Sequence, residues 1–540
     1  MILFAKRPGP ISPHAHLIPL LGLLVCVYAG QAQQTDDLTA FYSIADSGSA
    51  AAPVARAGTI TITAREFLLG YEFGPAFVKR QKESKRRYVE FLVNEKLLAL
   101  DGYERGLHRS ARARATLEEI EGDLATEELY KEDVGSRVTV TDAEIQEAVR
   151  HQQTTVSLEW IFCASKEDAL RAARILAGGG SFDSLFVRFL GDSIKPDDRR
   201  LETTRFKLGR TNPGFSRAID TLTVRSSSAP IAGPDGWYIV RVSNITMNAL
   251  PTQTEMFRLR SDARRALHQA KSDSLSDAYV RGIMESSAPV IQRPVFNLLG
   301  AYLGTKVLKG DTLQRWGVLK EFPDLAASPE SAVAASSHLQ LVEMREGGFA
   351  LREFLAWYRA RETSIRLSTR SAQAYFSSVE SMIWRMVRDR LLIRRARERH
   401  LQERDQVRQQ MKWWEEKILY DLVKESLVDS VRPGDQAVRA YYDAHARRYR
   451  DRNDAVLPYE RAKDDVRKDL FEEEYTRRLY RRLAVLRKRY PVTVFEKTLA
   501  SLPVDAEAEP KAIDVYAVKK GGTLPRPAFP SIDYEWQVWR

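Results

Sequence analysis

Three stretches of this chain return far downstream at nearly the same distance, which constrains its fold more than any single motif. Arg65-Glu66-Phe67-Leu68 recurs as Arg352-Glu353-Phe354-Leu355, an offset of 287 residues. Val93, Leu97, Leu98 and Leu107 recur as Val387, Leu391, Leu392 and Leu401 at an offset of 294, and Val138 with Asp142 as Val431 with Asp435 at 293. Near-constant spacing across separate segments reads as an internal duplication; chance likeness between amphipathic helices is the competing reading. The closing segments match as well. Leu250-Pro251 precedes a long charged helix ending before Ala288-Pro289-Val290-Ile291, and Leu457-Pro458 precedes another ending before Tyr490-Pro491-Val492-Thr493-Val494. Residues 151–249 separate the halves of the first copy, whereas only 447–456 separate those of the second. The first copy therefore carries an insert.

Within each copy the pattern is helical. Val54 to Ile62 alternates like a strand or hairpin, and Thr63 with Glu66 has the spacing of a capping box opening an amphipathic helix at Phe67, Leu68 and Tyr71. A longer helix from about Lys85 to Gly106 buries Tyr88, Phe91, Leu92 and Leu97, a third runs from Ala111 to about Lys131, and Thr141 with Glu144 opens a fourth.

The insert has a different grammar. Val156 to Cys163 is an apolar strand candidate, a helix follows from Ser165 to Leu176, and Gly178-Gly179-Gly180 ends it. Phe182 and Leu185 sit on a short helix, Phe206 to Gly209 and a helix near Phe215 follow, and Gly236 precedes the strand Trp237 to Val242. This order, with the spacing of Phe182, Phe206, Gly209, Pro213, Phe215 and Gly236, resembles the parvulin family of peptidyl-prolyl isomerases. The surrounding helices make the whole similar to the SurA- and PrsA-like exported folding chaperones. The resemblance implies site positions at Trp160, Asp192 and Tyr238, with Phe206, Thr211 and Phe215 lining a proline pocket. The family usually has histidines where Trp160 and Tyr238 stand, a glycine pair at Arg200 and Leu201, and a methionine at Thr211. Either the two aromatics fill a former active site as core, or an altered site persists.

The expected fold class is mostly α, with an inserted α+β parvulin-like domain and a duplicated helical core. The expected order is a signal peptide (1–32), a flexible lead-in (33–53) and a first helical unit (54–150 plus 250–291) split by the inserted domain (151–249). An unassigned connector (292–350), a second helical unit (351–495) and a proline- and aromatic-rich tail (496–540) complete it. Lys6 and Arg7, the apolar run Leu17 to Ala29 and Gly30-Gln31-Ala32 read as a secretory leader cleaved after Ala32, with a short buried helix as the alternative. Export predicts a periplasmic or otherwise extracytoplasmic protein. Cys26 would leave with the leader, and Cys163, on an apolar strand, reads as a small buried hydrophobe.

Net charge is +11, and Arg477, Arg478, Arg481, Arg482, Arg487, Lys488 and Arg489 concentrate it near the C-terminus. Export argues against nucleic acid as the partner; a solvated helix face, an anionic membrane surface or acidic client segments remain. His108, His151, His268, His338, His400 and His445 show no metal-ligand spacing, so no metal is expected. No cofactor is expected either, because isomerising an X-Pro bond requires only a better grip on the twisted amide than on either planar form. The sequence thus points to a chaperone binding unfolded or nascent exported proteins. The alternatives are an active prolyl isomerase and a scaffold subunit of an envelope assembly. In the tail, the density of prolines argues against a helix, leaving a mobile segment or an aromatic strand docked on the body.

Overall fold

Short alternating strands and capped helices follow one another much as the patterning predicts in the computed structural model, which describes residues 50–190, 194–248, 250–502 and 521–539. The leader at 1–32, most of the lead-in and Asp192 lie outside the described residues. A hairpin, β1 (Pro53–Ala57) and β2 (Ile60–Thr63), turns at Gly58, whose φ of +53° suits glycine. Thr63 caps α1 (Ala64–Glu72), accepting from Glu66 N at 3.2 Å, while the Glu66 carboxylate pairs with the buried Lys96 ammonium. Next come α2 (Ala76–Lys79), α3 (Ser84–Glu104) and α4 (Ala111–Asp133), then α5 (Asp142–Gln153). At the start of α5, Thr141 and Glu144 form a complete capping box.

The inserted α+β module runs β3 (Thr154–Cys163), α6 (Lys166–Ala177), α7 (Phe182–Leu190), β4 (Arg200–Thr204), α8 (Arg205–Thr211), α9 (Pro213–Ile219), β5 (Ile231–Ala232) and β6 (Trp237–Met247). Its sheet is antiparallel in the order β4-β3-β6-β5. The chain continues through α10 (Gln253–Ser287), β7 (Val290–Ile291), α11 (Arg293–Val307), α12 (Gly310–Arg315), α13 (Pro323–Ala327), α14 (Pro329–Ala335), β8 (Gln340–Glu343) and β9 (Gly348–Ala350). It ends with α15 (Leu351–Arg359), α16 (Ala372–Glu398), α17 (Asp405–Asp429), α18 (Asp435–His445), α19 (Tyr459–Arg489), β10 (Val492–Val494) and α20 (Glu496–Ser501). The fold is mostly α with an inserted α+β region.

Contacts divide the chain into two units. Of the described residues, the first comprises 50–97, 468–502 and 531–539. Its sheet has the order β10-β1-β2, and its core stacks Phe67 on Tyr71 with the ring of Tyr88 edge-on to both. The end of the tail docks here through a single 3-10 turn, Tyr534–Gln537, and not as a strand. Trp536 is fully buried, stacks on Phe91 and donates its indole N–H to Glu95 at 2.9 Å, while Trp539 meets Tyr475. On the part of α19 in this unit Leu479, Leu483 and Leu486 are buried, which turns much of the basic run outward.

Of the described residues, the second unit comprises those between 98 and 467 and those at 521–530. Its main core gathers Leu298, Leu299 and Leu303 of α11, Phe354 and Trp357 of α15, and Tyr375, Val379 and Ile383 of α16 around the sheet β7-β8-β9. The segment 292–350, unassigned from sequence, thus supplies a helix and a hairpin to this core. Phe354 stacks on Tyr358 with an interplanar angle of 12°, the same angle as between Phe67 and Tyr71 in the first unit. Gly106 and His400, 294 residues apart, both take left-handed φ (+68° and +55°) before a short turn that begins with leucine.

The module enters and leaves through a narrow neck. Ile145, Ala148 and Val149 of α5 pack on Met256, Leu259 and Ala263 of α10, and Asn248 N donates to Gln153 O at 2.9 Å. Helices α18 and α19 are tied by an ion pair, with Asp435 accepting from Arg467 at 2.6 Å, and only a short connection joins them. The closing strands cross over. β10, which follows α19, pairs with β1 (Ala55 opposite Val494), and β7, which follows α10, pairs with β8 (Ile291 opposite Val342).

Candidate functional site

Strand alternation sorts the residues of β3 onto two faces. Ile161 and Cys163, with Ile239 of β6, pack under α6 and α7. Val156, Leu158 and Trp160, with Tyr238, Val240 and Val242 of β6, face α8 and α9. The register sets Trp160 opposite Val240 and Phe162 opposite Tyr238, so Trp160 and Tyr238 are diagonal neighbours on one face. Phe215 completes the cluster. Asn212 caps α9 by accepting from Phe215 N at 3.2 Å, and Pro213 occupies the first turn, where its missing N–H costs nothing. The Phe215 ring is buried, 5.9 Å from Trp160 and 5.4 Å from Tyr238, and Tyr238 is 5.3 Å from Phe162; all three pairs are edge-to-face. The result is a half-exposed aromatic patch on a buried phenyl floor.

Two glycines make this close packing possible. A Cβ at Gly236 would lie 2.5 Å from the Phe162 ring at a φ of +157°, and one at Gly233 would lie 2.5 Å from the Tyr238 ring. The Tyr238 hydroxyl donates to Asp235, and burial together with the Asp235 charge pushes the phenol up to about 12, so it stays neutral. Arg199 lies 5.0 Å over the Phe162 ring, which places a cation at the rim of the patch. Cys163 is buried, and burial followed by the nearby Asp168 charge raises its thiol pKa, which keeps it protonated and unreactive.

Of the residues expected at the site, the structure brings together Trp160, Phe215 and Tyr238. Phe206 does not join them: it is on the first turn of α8 and turns to Ile145, Val149 and Ala263 at the neck. Helical spacing explains the divergence, because Leu208, two residues on, is the one whose side chain enters the Phe215 cluster. Thr211 is exposed at the end of α8 and donates to Lys207 O at 3.0 Å. Asp192 is outside the described residues.

The reading from sequence missed a charged group on the opposite face. Glu159 is 9% exposed and sits opposite both Arg200 and Arg241 in the strand register. It accepts from Arg200 Nε at 3.0 Å and from Arg241, which also reaches Asp183 at 2.6 Å and covers the Phe182 ring at 4.2 Å. A lone glutamate within an apolar strand was the available signal, since burying it requires cross-strand cations.

The patch offers flat aromatic faces, a neutral phenol and a rim cation, which can stack on a proline ring or an apolar side chain. Neither Trp160 nor Phe215 titrates, and Tyr238 holds its proton at neutral pH. Among the described residues, no three His, Cys, Asp or Glu side chains converge as a metal site.

No protein-family model matches the chain, and no curated protein does. Among solved structures it is similar to the peptidylprolyl isomerase PrsA from Bacillus anthracis (16% identity, 28% of this chain and 67% of that one, TM-score 0.20). It is also similar to PrsA from Bacillus subtilis (18% identity, 42% and 92%, TM-score 0.16). The foldase protein PrsA from Streptococcus pneumoniae matches at 17% identity over 40% of this chain and 85% of that one, with a TM-score of 0.20.

Proposed function

We propose that this protein is an extracytoplasmic folding chaperone that holds non-native polypeptides, and that its α+β module is a docking surface rather than an enzyme. The carrying observation is the meeting of Trp160 and Tyr238 over Phe215. Where the parvulin resemblance would place an orienting pair of imidazoles, this chain packs two aromatics against a buried ring. Such a surface binds apolar and proline-containing segments without a group to steer the amide through its twist. The helical core, present twice on this reading, supplies further apolar surface for extended chains. Export rests on the leader residues 1–32. Among the described residues no helix is long and apolar enough to cross a membrane.

Two assays test the proposal. A proline-peptide isomerisation assay at micromolar protein is expected to show no acceleration; acceleration would instead establish an active isomerase. Suppression of aggregation of a chemically unfolded, secreted client is expected at near-stoichiometric ratios, and its failure removes the holding function. A single stoichiometric partner recovered on pull-down, in place of many clients, would favour a scaffold subunit.

A further inference from the structure

Within the second unit, the irregular segment 521–530 lies against α4, α17 and Arg361 past the end of α15, with bends at Gly521, Thr523, Leu524, Ala528 and Phe529. Asp123 of α4 is fully buried and accepts from the backbone N–H groups of Thr523 and Leu524, the latter at 2.7 Å. Arg361, just past α15 and also fully buried, donates to Thr523 O at 3.2 Å. Three main-chain atoms of two successive residues are therefore gripped by two buried charges, a mode of holding that is indifferent to the side chain at Thr523. That side chain gains nothing: its hydroxyl is buried without a hydrogen-bond partner. Two side chains of the segment are held as well. Leu524 packs on Ile120, Leu124, Val407 and Trp414. Arg526 reaches Asp123 at 2.6 Å and Glu127 at 2.7 Å, and lies 5.2 Å over the Trp414 ring. One buried Arg361 donor, Nη2, has no hydrogen-bond partner.

We propose that this cleft is a binding groove for client segments of the pattern apolar–proline–basic, and that the chain's own Gly521–Pro530 segment occupies it as a built-in competitor. The client class rests on the chaperone reading above; the groove and its self-ligand do not. A tethered segment competes at an effective concentration of about millimolar, so a free peptide of micromolar affinity is excluded until the tether is dislodged.

Gly521 is the place to dislodge it. Its φ is +80°, and a Cβ there would fall 2.0 Å from Tyr130 Cβ. The test uses full-length Gly521→Val and, separately, full-length Arg526→Ala, which weakens the docked segment without altering the groove. The probe is the fluorescein-labelled decapeptide Gly-Gly-Thr-Leu-Pro-Arg-Pro-Ala-Phe-Pro, followed by anisotropy. Both variants are expected to bind it at least tenfold more tightly than the wild type. The same peptide with alanine for arginine is expected to lose at least tenfold. If both variants keep the wild-type circular dichroism and melting temperature yet bind no peptide, or if both lose the fold, the segment is an integral part of the unit and the proposal fails. Aggregation suppression, measured on the same samples, separates the two readings. Peptide binding without client holding removes the chaperone assignment alone, and client holding without peptide binding removes the groove alone.

Discussion

If the aromatic patch is packed as the structure describes, Phe215 is its keystone, and the Phe215→Ala variant tests this directly. The ring is 6% exposed and meets Trp160 at 5.9 Å and Tyr238 at 5.4 Å. A buried phenylalanine hides about 150–250 Å², which at about 25 cal/mol per Å² corresponds to about 4–6 kcal/mol of transfer energy. Measured Phe→Ala costs in cores are about 3–5 kcal/mol, so about 4 kcal/mol is expected. Trp160 is half-buried, and Trp160→Ala is expected to cost about half as much. The decisive quantity is the interaction between the two, because edge-to-face ring pairs contribute about 0.5–1.5 kcal/mol beyond area. The double variant should therefore fall short of additivity by that amount. A chain of two units does not unfold in one step, so the readout is local: hydrogen exchange of amides in β3 and β6, which reports the opening free energy of the module. Additivity within about 0.3 kcal/mol, or unchanged exchange in Phe215→Ala, would refute the packing argument. The patch would then be a loose, open surface, and the case for a filled site would go with it.

Three other outcomes follow from the geometry. Gly236→Ala should destabilise the module by about 1–3 kcal/mol, read by the same exchange experiment, because its Cβ would lie 2.5 Å from the Phe162 ring. Glu144 is held down to about 2 from its usual 4.5, first by its hydrogen bond from Lys271 and then by Thr141. Its stabilising contribution is therefore full above pH 4.5 and lost as pH falls towards 2; Glu144→Gln should flatten the acid limb of stability in that window, and an unchanged limb would refute the linkage. In the crossed strand pairing Arg56 is opposite Thr493, so Arg56→Cys with Thr493→Cys should form a disulfide within one chain, seen as a faster band on a non-reducing gel. Free thiols, or a cross-link between two chains only, would contradict the pairing.

Local order was legible because local rules decide it. Ser165 caps α6 at the residue where the helix pattern begins, and the glycines after Ala177 end it. Thr141 and Glu144 form the capping box their spacing predicts. The meeting of Trp160 with Tyr238 was likewise written into strand alternation once β3 and β6 became neighbours. The misread positions are those decided by tertiary partners. Phe206 and Leu208 are equally apolar but two positions apart on a helix, so they point to different sides, and only the packing of α8 between the neck and the sheet determines which of them reaches Phe215. Thr63 and Glu66 have capping-box spacing, but the Glu66 carboxylate meets Lys96 on another helix, where a buried ammonium needs its charge. The closing strands show the limit most clearly. Val290-Ile291 and Val492-Thr493-Val494 carry nearly the same β-branched pattern, each after a helix of more than thirty residues, so either could complete either hairpin. Pairing β7 with β8 closes a loop of fewer than fifty residues, whereas pairing β10 with β1 spans most of the chain. Loop entropy grows only slowly with length, by about 0.6 kcal/mol per doubling, so it does not forbid the long closure. Packing of each hairpin against its own core must choose the partner, and that choice is not a property of either strand's residues.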